Sequence, residues 1–166
     1  MAGGSIYFEE DRTGEQAGTE EWFLCSLAGG RPFHLADTGG TEGGVEFARL
    51  VFDGEQAALA WGLFDAIEKL EVIDLATDRA VFTQALPSNA AHPRSSQVGR
   101  IVLKRDDAVA WTELVPSGAY EVIEHTSRGT KVLDDTHTTQ PYSLKLVGST
   151  LRWLEHDGEA RTATLH

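Results

Sequence analysis

Three segments of this chain share one strand–turn–strand pattern, and each closes on a tryptophan: RLVFDGEQAALAW at 49–61, RIVLKRDDAVAW at 100–111 and YSLKLVGSTLRW at 142–153. Each reads as an alternating apolar run, a short polar or glycine turn, and a second alternating run. The turns are Asp53-Gly54, Arg105-Asp106-Asp107 and Val147-Gly148-Ser149. Alternation at period two, broken by such a turn, is the pattern of a β-hairpin. A second block follows the first two tryptophans. Glu71-Val72-Ile73 precedes Glu121-Val122-Ile123 by the spacing that separates Trp61 from Trp111, and each block continues through a polar turn into a further apolar run. The two continuations are Leu75 to Phe82 and His125 to Leu133.

These blocks predict an all-β fold of tandem four-stranded antiparallel units, β-propeller-like and small or partial, with a β-sandwich or distorted barrel as the alternative architecture. The expected single repeat domain has a partial unit at 6–36, whole units at 45–83 and 98–133, and a partial unit at 141–165. In the partial N-terminal unit, Ile6 to Glu10 and Trp22 to Leu27 are the expected strands. The stretch Glu55 to Leu75 also places Leu59, Leu63, Ala66, Ile67 and Leu70 at helical spacing. Its counterpart Ala108 to Glu124 contains Pro116, Ser117 and Gly118, which break a helix, so strand–loop–strand is expected in both, with a helical turn retained at Phe64 to Glu68. Pro87 to Gln97 is expected to be a loop between units.

The unit resembles the TolB-type β-propeller repeat: a polar-Gly turn (Asp53-Gly54), a strand ending in an aromatic (Trp61), then an apolar-acidic-Leu strand (Val72-Ile73-Asp74-Leu75). The resemblance covers Arg49 to Leu165, and more weakly Trp22 to Ala36. It implies blades; it carries no site residue and no activity, because propellers host hydrolases, lyases, scaffolds and receptors alike. Such rings usually close with six or more blades, and this chain supplies fewer than four. It is therefore expected to close as a small ring, to pair with a second copy, or to be a piece of something longer. Within one chain, Ile6 to Glu10 pairing with Glu159 to Leu165 is the expected clasp.

Chemistry-bearing motifs are scarce. No G-x-S-x-G elbow, H-E-x-x-H, Walker A or EF-hand loop occurs. Gly39 to Gly44 is glycine-rich but lacks the following lysine of a phosphate loop, and reads as a flexible loop. Cys25 is the only cysteine, so an internal disulfide is excluded; it reads as a small buried residue. His34, His92, His125, His137, His156 and His166 show no ligand spacing, although His125, His137 and His156 would converge if successive units present matching loops. Asp106-Asp107 and Asp134-Asp135 read as turn residues. Trp22, Trp61, Trp111 and Trp153 read as core packing between units, with an aromatic ligand platform as the alternative.

No catalytic, cofactor or metal residue is therefore assigned, and no cofactor is expected. The formal charge of −12 disfavours nucleic acid and anionic membrane as partners. Glu9, Glu10, Asp11, Glu15, Glu20 and Glu21 crowd one stretch, which reads as a solvated face or a site for a cationic partner. No signal peptide or membrane-spanning run is recognised, so the protein is expected to be soluble, and either cytoplasmic or exported with its signal removed. The expected function is a non-catalytic binding module for a protein or small molecule, with self-association where sheet edges are bare. An enzyme assembled from several blade loops and a structural subunit are the alternatives.

Overall fold

A computed structural model describes residues 4–10, 20–27, 29, 31–38, 45–63, 67–87 and 97–166. Fourteen strands and no helix are found among them, so no helix is long and apolar enough to cross a membrane. The strands form four successive antiparallel sheets, none closed, each a simple meander. Sheet one holds β1 (Gly4–Glu10), β2 (Glu20–Ser26) and β3 (Phe33–Thr38). Sheet two holds β4 (Val45–Asp53), β5 (Gln56–Leu63), β6 (Lys69–Asp74) and β7 (Arg79–Ala85). Sheet three holds β8 (Val98–Leu103), β9 (Val109–Leu114), β10 (Tyr120–Thr126) and β11 (Gly129–Asp134). Sheet four holds β12 (Lys145–Val147), β13 (Thr150–Leu154) and β14 (Ala160–Thr164). The expected all-β array of antiparallel units is thus what the chain forms. The expected loops at 39–44 and 88–96, the retained turn over 64–66, the acidic residues 11–19 and His92 lie outside the described residues.

The sheets stack face to face, and the two faces of each middle strand explain how. β5 points Ala57, Leu59 and Trp61 at sheet one, where Leu24, Phe33 and Leu35 meet them. It points Ala58 and Ala60 the other way, at Val109 and Trp111 of β9. Ala108, just before β9, and Ala110 within it meet Leu151 and Trp153 of β13 in turn. Alternation at period two produces this directly. Each of the two later junctions seats an indole from one sheet on alanines of the sheet before it, a large-against-small fit that lets two sheets approach without voids. A strand buried on both faces needs apolar residues at every position, which is why QAALAWGL also showed a helical spacing. Strand wins because β5 pairs with β4 on one side and with β6 on the other.

Two expectations are corrected by register. Counting from the hairpin turns, the inward pairs Phe52/Ala57, Leu103/Val109 and Leu146/Leu151 correspond. Two residues on come Leu59, Trp111 and Trp153. Trp61 keeps the same face but sits one strand repeat further along. Likewise Glu71 lies opposite Leu59, whereas Glu121 lies opposite Glu113, so the fixed sequence spacing does not describe one register. The clasp is not formed either: β1 pairs with β2 alone and β14 with β13 alone.

The first strands are where sheets two, three and four come closest, β8 running beside β4 and beside β12. Arg49 of β4 donates from Nε to the Gly99 carbonyl of β8 at 2.7 Å, and its guanidinium lies 5.3 Å from the centroid of the Tyr142 ring. Thr112 donates its hydroxyl to the Pro141 carbonyl at 2.6 Å. Gly99 has to be glycine here. A Cβ would collide with the Pro141 carbonyl and stand 2.7 Å from Thr112 Oγ1.

Candidate functional surface

Buried carboxylates are the first place to look for chemistry, because an ionised group held out of water is costly unless it is partnered. Glu71, Glu113, Glu124, Asp134 and Glu155 are all buried. Three of them serve the inter-sheet tryptophans. Trp61 Nε1 donates to Glu71 at 2.6 Å, Trp111 to Glu113 at 2.8 Å, and Trp153 to Asp134 at 2.6 Å. An indole buried with a carboxylate beside it satisfies its only donor. Lys69 sits 3.3 Å from Glu71 and 4.1 Å from the Trp61 ring centroid, which completes that group. Asp134 belongs to a larger network. Burial pushes its carboxyl up, but its hydrogen-bonding surroundings (Glu155, the Thr136 amide and side chain, and the Trp153 indole) outweigh it and hold it at about 2. Thr136 and Thr138 also donate to Glu155. The turn reading of Asp134 is therefore incomplete: it accepts from Thr136 N as turn aspartates do, and it also anchors Trp153.

Sequence reasoning missed these pairs, yet a signal was present. In Trp111-Thr112-Glu113 the acid lies two residues from the indole, which on a strand is the same face, whereas Trp61 and Trp153 take their acids from neighbouring segments that no local spacing marks. Glu113 lines a cleft of about 280 Å³ together with Trp111, Ile123 and Lys131. Burial, followed by Glu121, pushes its carboxyl above the ordinary range, partly offset by the Trp111 hydrogen bond.

The histidines are spread out. His125 stacks on Phe82 with 3.8 Å between centroids, His137 lies 3.6 Å from Glu121, and His156 lies beside Leu154. His34, Glu21 and Asp37 form the one group of potential metal ligands found among the described residues, with all atoms within 4.8 Å. All three are exposed, and His34 already bonds Asp37 at 2.6 Å. Cys25 is half-buried rather than enclosed, and its thiol lies 3.3 Å from the Ser5 hydroxyl.

A wider concavity lies elsewhere among the described residues. A groove of about 820 Å³ runs over the outer face of sheet four, the side turned away from sheet three. Tyr142, Lys145, Val147, Arg152, Leu154 and His156 line it. Tyr142 is 57% exposed and Val147 75% exposed, unusual for large apolar side chains. Among the described residues no carboxylate lines the groove, and neither Lys145 nor Arg152 has an ion-pair partner. This is a cationic, apolar patch on a chain whose formal charge is −12.

At the other end of the stack, sheet one has its own outer face. Ile6 and Leu24 turn inward, so Tyr7 and Phe23, paired across β1 and β2, turn outward. Their rings stack at 5.3 Å, and His34 continues the row at 5.4 Å from Phe23. Glu9, Glu21 and Asp37 occupy the next register position on that face. No family model matches the chain, and no curated protein matches it.

Proposed function

We propose that this chain is a non-catalytic binding module on a β-propeller-like scaffold, and that the groove on sheet four is its docking surface for an acidic, aromatic protein surface. One observation carries the reading: a groove of about 820 Å³ gathers two cations without an ion-pair partner among the described residues and two exposed apolar side chains on an otherwise strongly acidic chain. Isolated exposed apolar residues need no explanation, but a contiguous patch rimmed by like charges is what partner sites are made of. The propeller-like reading is supported by the approach of the first strands, by the meander topology and by the TolB-type resemblance. A second reading, an enzyme, is favoured by Glu113 alone, a carboxyl with a raised pKa in a cleft. The other polar side chains of that cleft are Gln84, Lys131 and Thr130, whose hydroxyl is engaged with His125 at 2.8 Å, and it gathers no exposed apolar patch as the groove does, so the binding reading stands ahead.

The test uses a fluorescein-labelled copolymer of glutamate and tyrosine as probe. Its anisotropy should rise on titration with the protein, and the rise should weaken as salt screens the contact. The Lys145→Glu/Arg152→Glu variant should lose at least about tenfold in affinity, as charge reversal at a partner site does. Polylysine should bind the variant at least as tightly as the wild type, since the variant is the more acidic protein. Equal binding of the copolymer to both proteins, or to neither, would overturn the reading.

A further inference from the structure

We infer that the occupant of the groove is a second copy of this chain, docked through the outer face of its first sheet, so that two copies close reciprocally into an eight-sheet assembly. The inference rests on reading the groove as a docking surface and goes on to name its partner. The two end faces of the stack are complementary. Sheet four presents Lys145 and Arg152 around Val147 and Leu154; sheet one presents Glu9, Glu21 and Asp37 around Tyr7 and Phe23. Among the described residues, Glu9 and Glu21 have no cationic partner within the chain, and Lys145 and Arg152 have no anionic one. Cations therefore meet carboxylates, and exposed aliphatic and tyrosine side chains meet a stacked aromatic pair.

Like-with-like docking is disfavoured by the same residues, since it would set Lys145 and Arg152 against their own copies, or Glu9 and Glu21 against theirs. Face four on face one is heterologous, and a heterologous contact either closes or runs on into a filament. Four sheets in each copy make eight in a closed pair, within the four to eight blades typical of propellers. The contact differs in kind from the internal junctions. β13 points Arg152 and Leu154 outward where β5 and β9 point Ala58, Ala60 and Ala110 at their neighbours. No tryptophan can seat there as Trp111 and Trp153 do inside. The joint is electrostatic at its rim and should be reversible and salt-sensitive.

Sedimentation velocity on the wild-type chain, across a wide concentration range at low and high salt, should show the 18.1 kDa monomer converting to a species of twice that mass, and the conversion should weaken with salt. Two charge-reversed variants decide the geometry. Lys145→Glu/Arg152→Glu makes both end faces acidic, and Glu9→Lys/Glu21→Lys makes both basic. Each alone should associate at least about tenfold more weakly, while an equimolar mixture should recover near wild-type association, because both joints are then again unlike-charged. Arg79→Glu/Arg128→Glu carries the same net charge as the first variant but alters neither face, and should dimerise normally. Circular dichroism spectra confirm that each variant is folded; should one not be, the single substitutions Arg152→Glu and Glu21→Lys take the place of the doubles. Labelling of Cys25, which lies on the outer face of sheet one, should slow as concentration rises.

A wild-type chain that stays monomeric, reversed variants that still dimerise, a mixture of folded variants that does not recover, or growth into filaments would each overturn the two-copy assembly. A monomer that still takes up the glutamate–tyrosine copolymer in the groove would remove only this inference, leaving the docking surface in place.

Discussion

Replacing Trp111 by phenylalanine isolates the contribution of an indole that serves a buried carboxylate. Trp111 is fully buried and Glu113 is 7% exposed, with 2.8 Å between the indole nitrogen and the carboxylate. The ring loss removes roughly 40 Å² of apolar burial, or about 1 kcal/mol. The hydrogen bond to a charged acceptor is worth about 1.5–3 kcal/mol, and its loss strands the acceptor out of water. Trp111→Phe should therefore cost about 3–4 kcal/mol at pH 7, a large share of the ~5–15 kcal/mol available to a folded domain. Glu113→Gln keeps an oxygen for the indole and removes the buried charge, so it should change stability by less than about 1 kcal/mol. The double change Trp111→Phe/Glu113→Leu should recover about 1.5–3 kcal/mol relative to the sum of the separate effects. The Glu113 carboxyl already titrates above its ordinary range because it is buried, and losing its donor should push it further up. A raised carboxyl pKa means that the folded state holds the proton more tightly. Its cost is present well above the folded pKa and is relieved as pH falls toward the ordinary 4.5, so the Trp111→Phe penalty should shrink on acidification from pH 7 toward that value. Urea unfolding followed by far-ultraviolet circular dichroism measures all of this. A Trp111→Phe cost below about 1 kcal/mol, or one that grows on acidification, would refute the reasoning.

Asp134 should behave oppositely. Its folded pKa of about 2 lies below the ordinary 3.8, so its contribution is present above pH 3.8 and is lost as pH falls through about 2. Asp134→Asn should flatten the acid limb of the stability curve in that window, as read by urea melts at stepped pH. At Gly99, alanine would drive a methyl into the Pro141 carbonyl, so Gly99→Ala should lower stability by about 3 kcal/mol, seen as a fall in Tm, whereas an ordinary surface glycine such as Gly158 has open space for the added methyl, and only its positive backbone angle resists it.

Much of the architecture was legible because hydrophobic period and turn chemistry agreed. Asp53-Gly54 and Val147-Gly148-Ser149 bend the chain with Gly54 and Gly148 at positive φ, and the runs on either side alternate. The helical spacing in Glu55 to Leu75 misleads for a specific reason: a strand covered on both faces has no polar side, so its period vanishes and any apolar spacing can be found in it. Register was less legible. The sequence spacing from Glu71 to Glu121 equals that from Trp61 to Trp111, but bulges at Phe47/Arg49, Val72/Ile73, Val98/Ile101 and Val122/Ile123 shift the pairings, and no bulge is visible in apolar periodicity alone. The groove was not legible at all. Lys145, Val147, Arg152 and Leu154 read as one unremarkable alternating strand pair until the stack shows that their side faces nothing.

Every strand pairing among the described residues joins strands that are consecutive in the chain. No strand has to wait for a partner made much later, so each sheet can form as soon as its own thirty or so residues are available, and then offers a template for the next. Synthesis from the N-terminus would lay the sheets down one after another, each freshly made tryptophan arriving after the alanines that receive it. Loop-closure entropy, which slows most β-rich chains, is met here in short instalments. Stability becomes a chain of nearest-neighbour terms, in which damage at one junction loosens the sheets beside it and leaves remote ones standing.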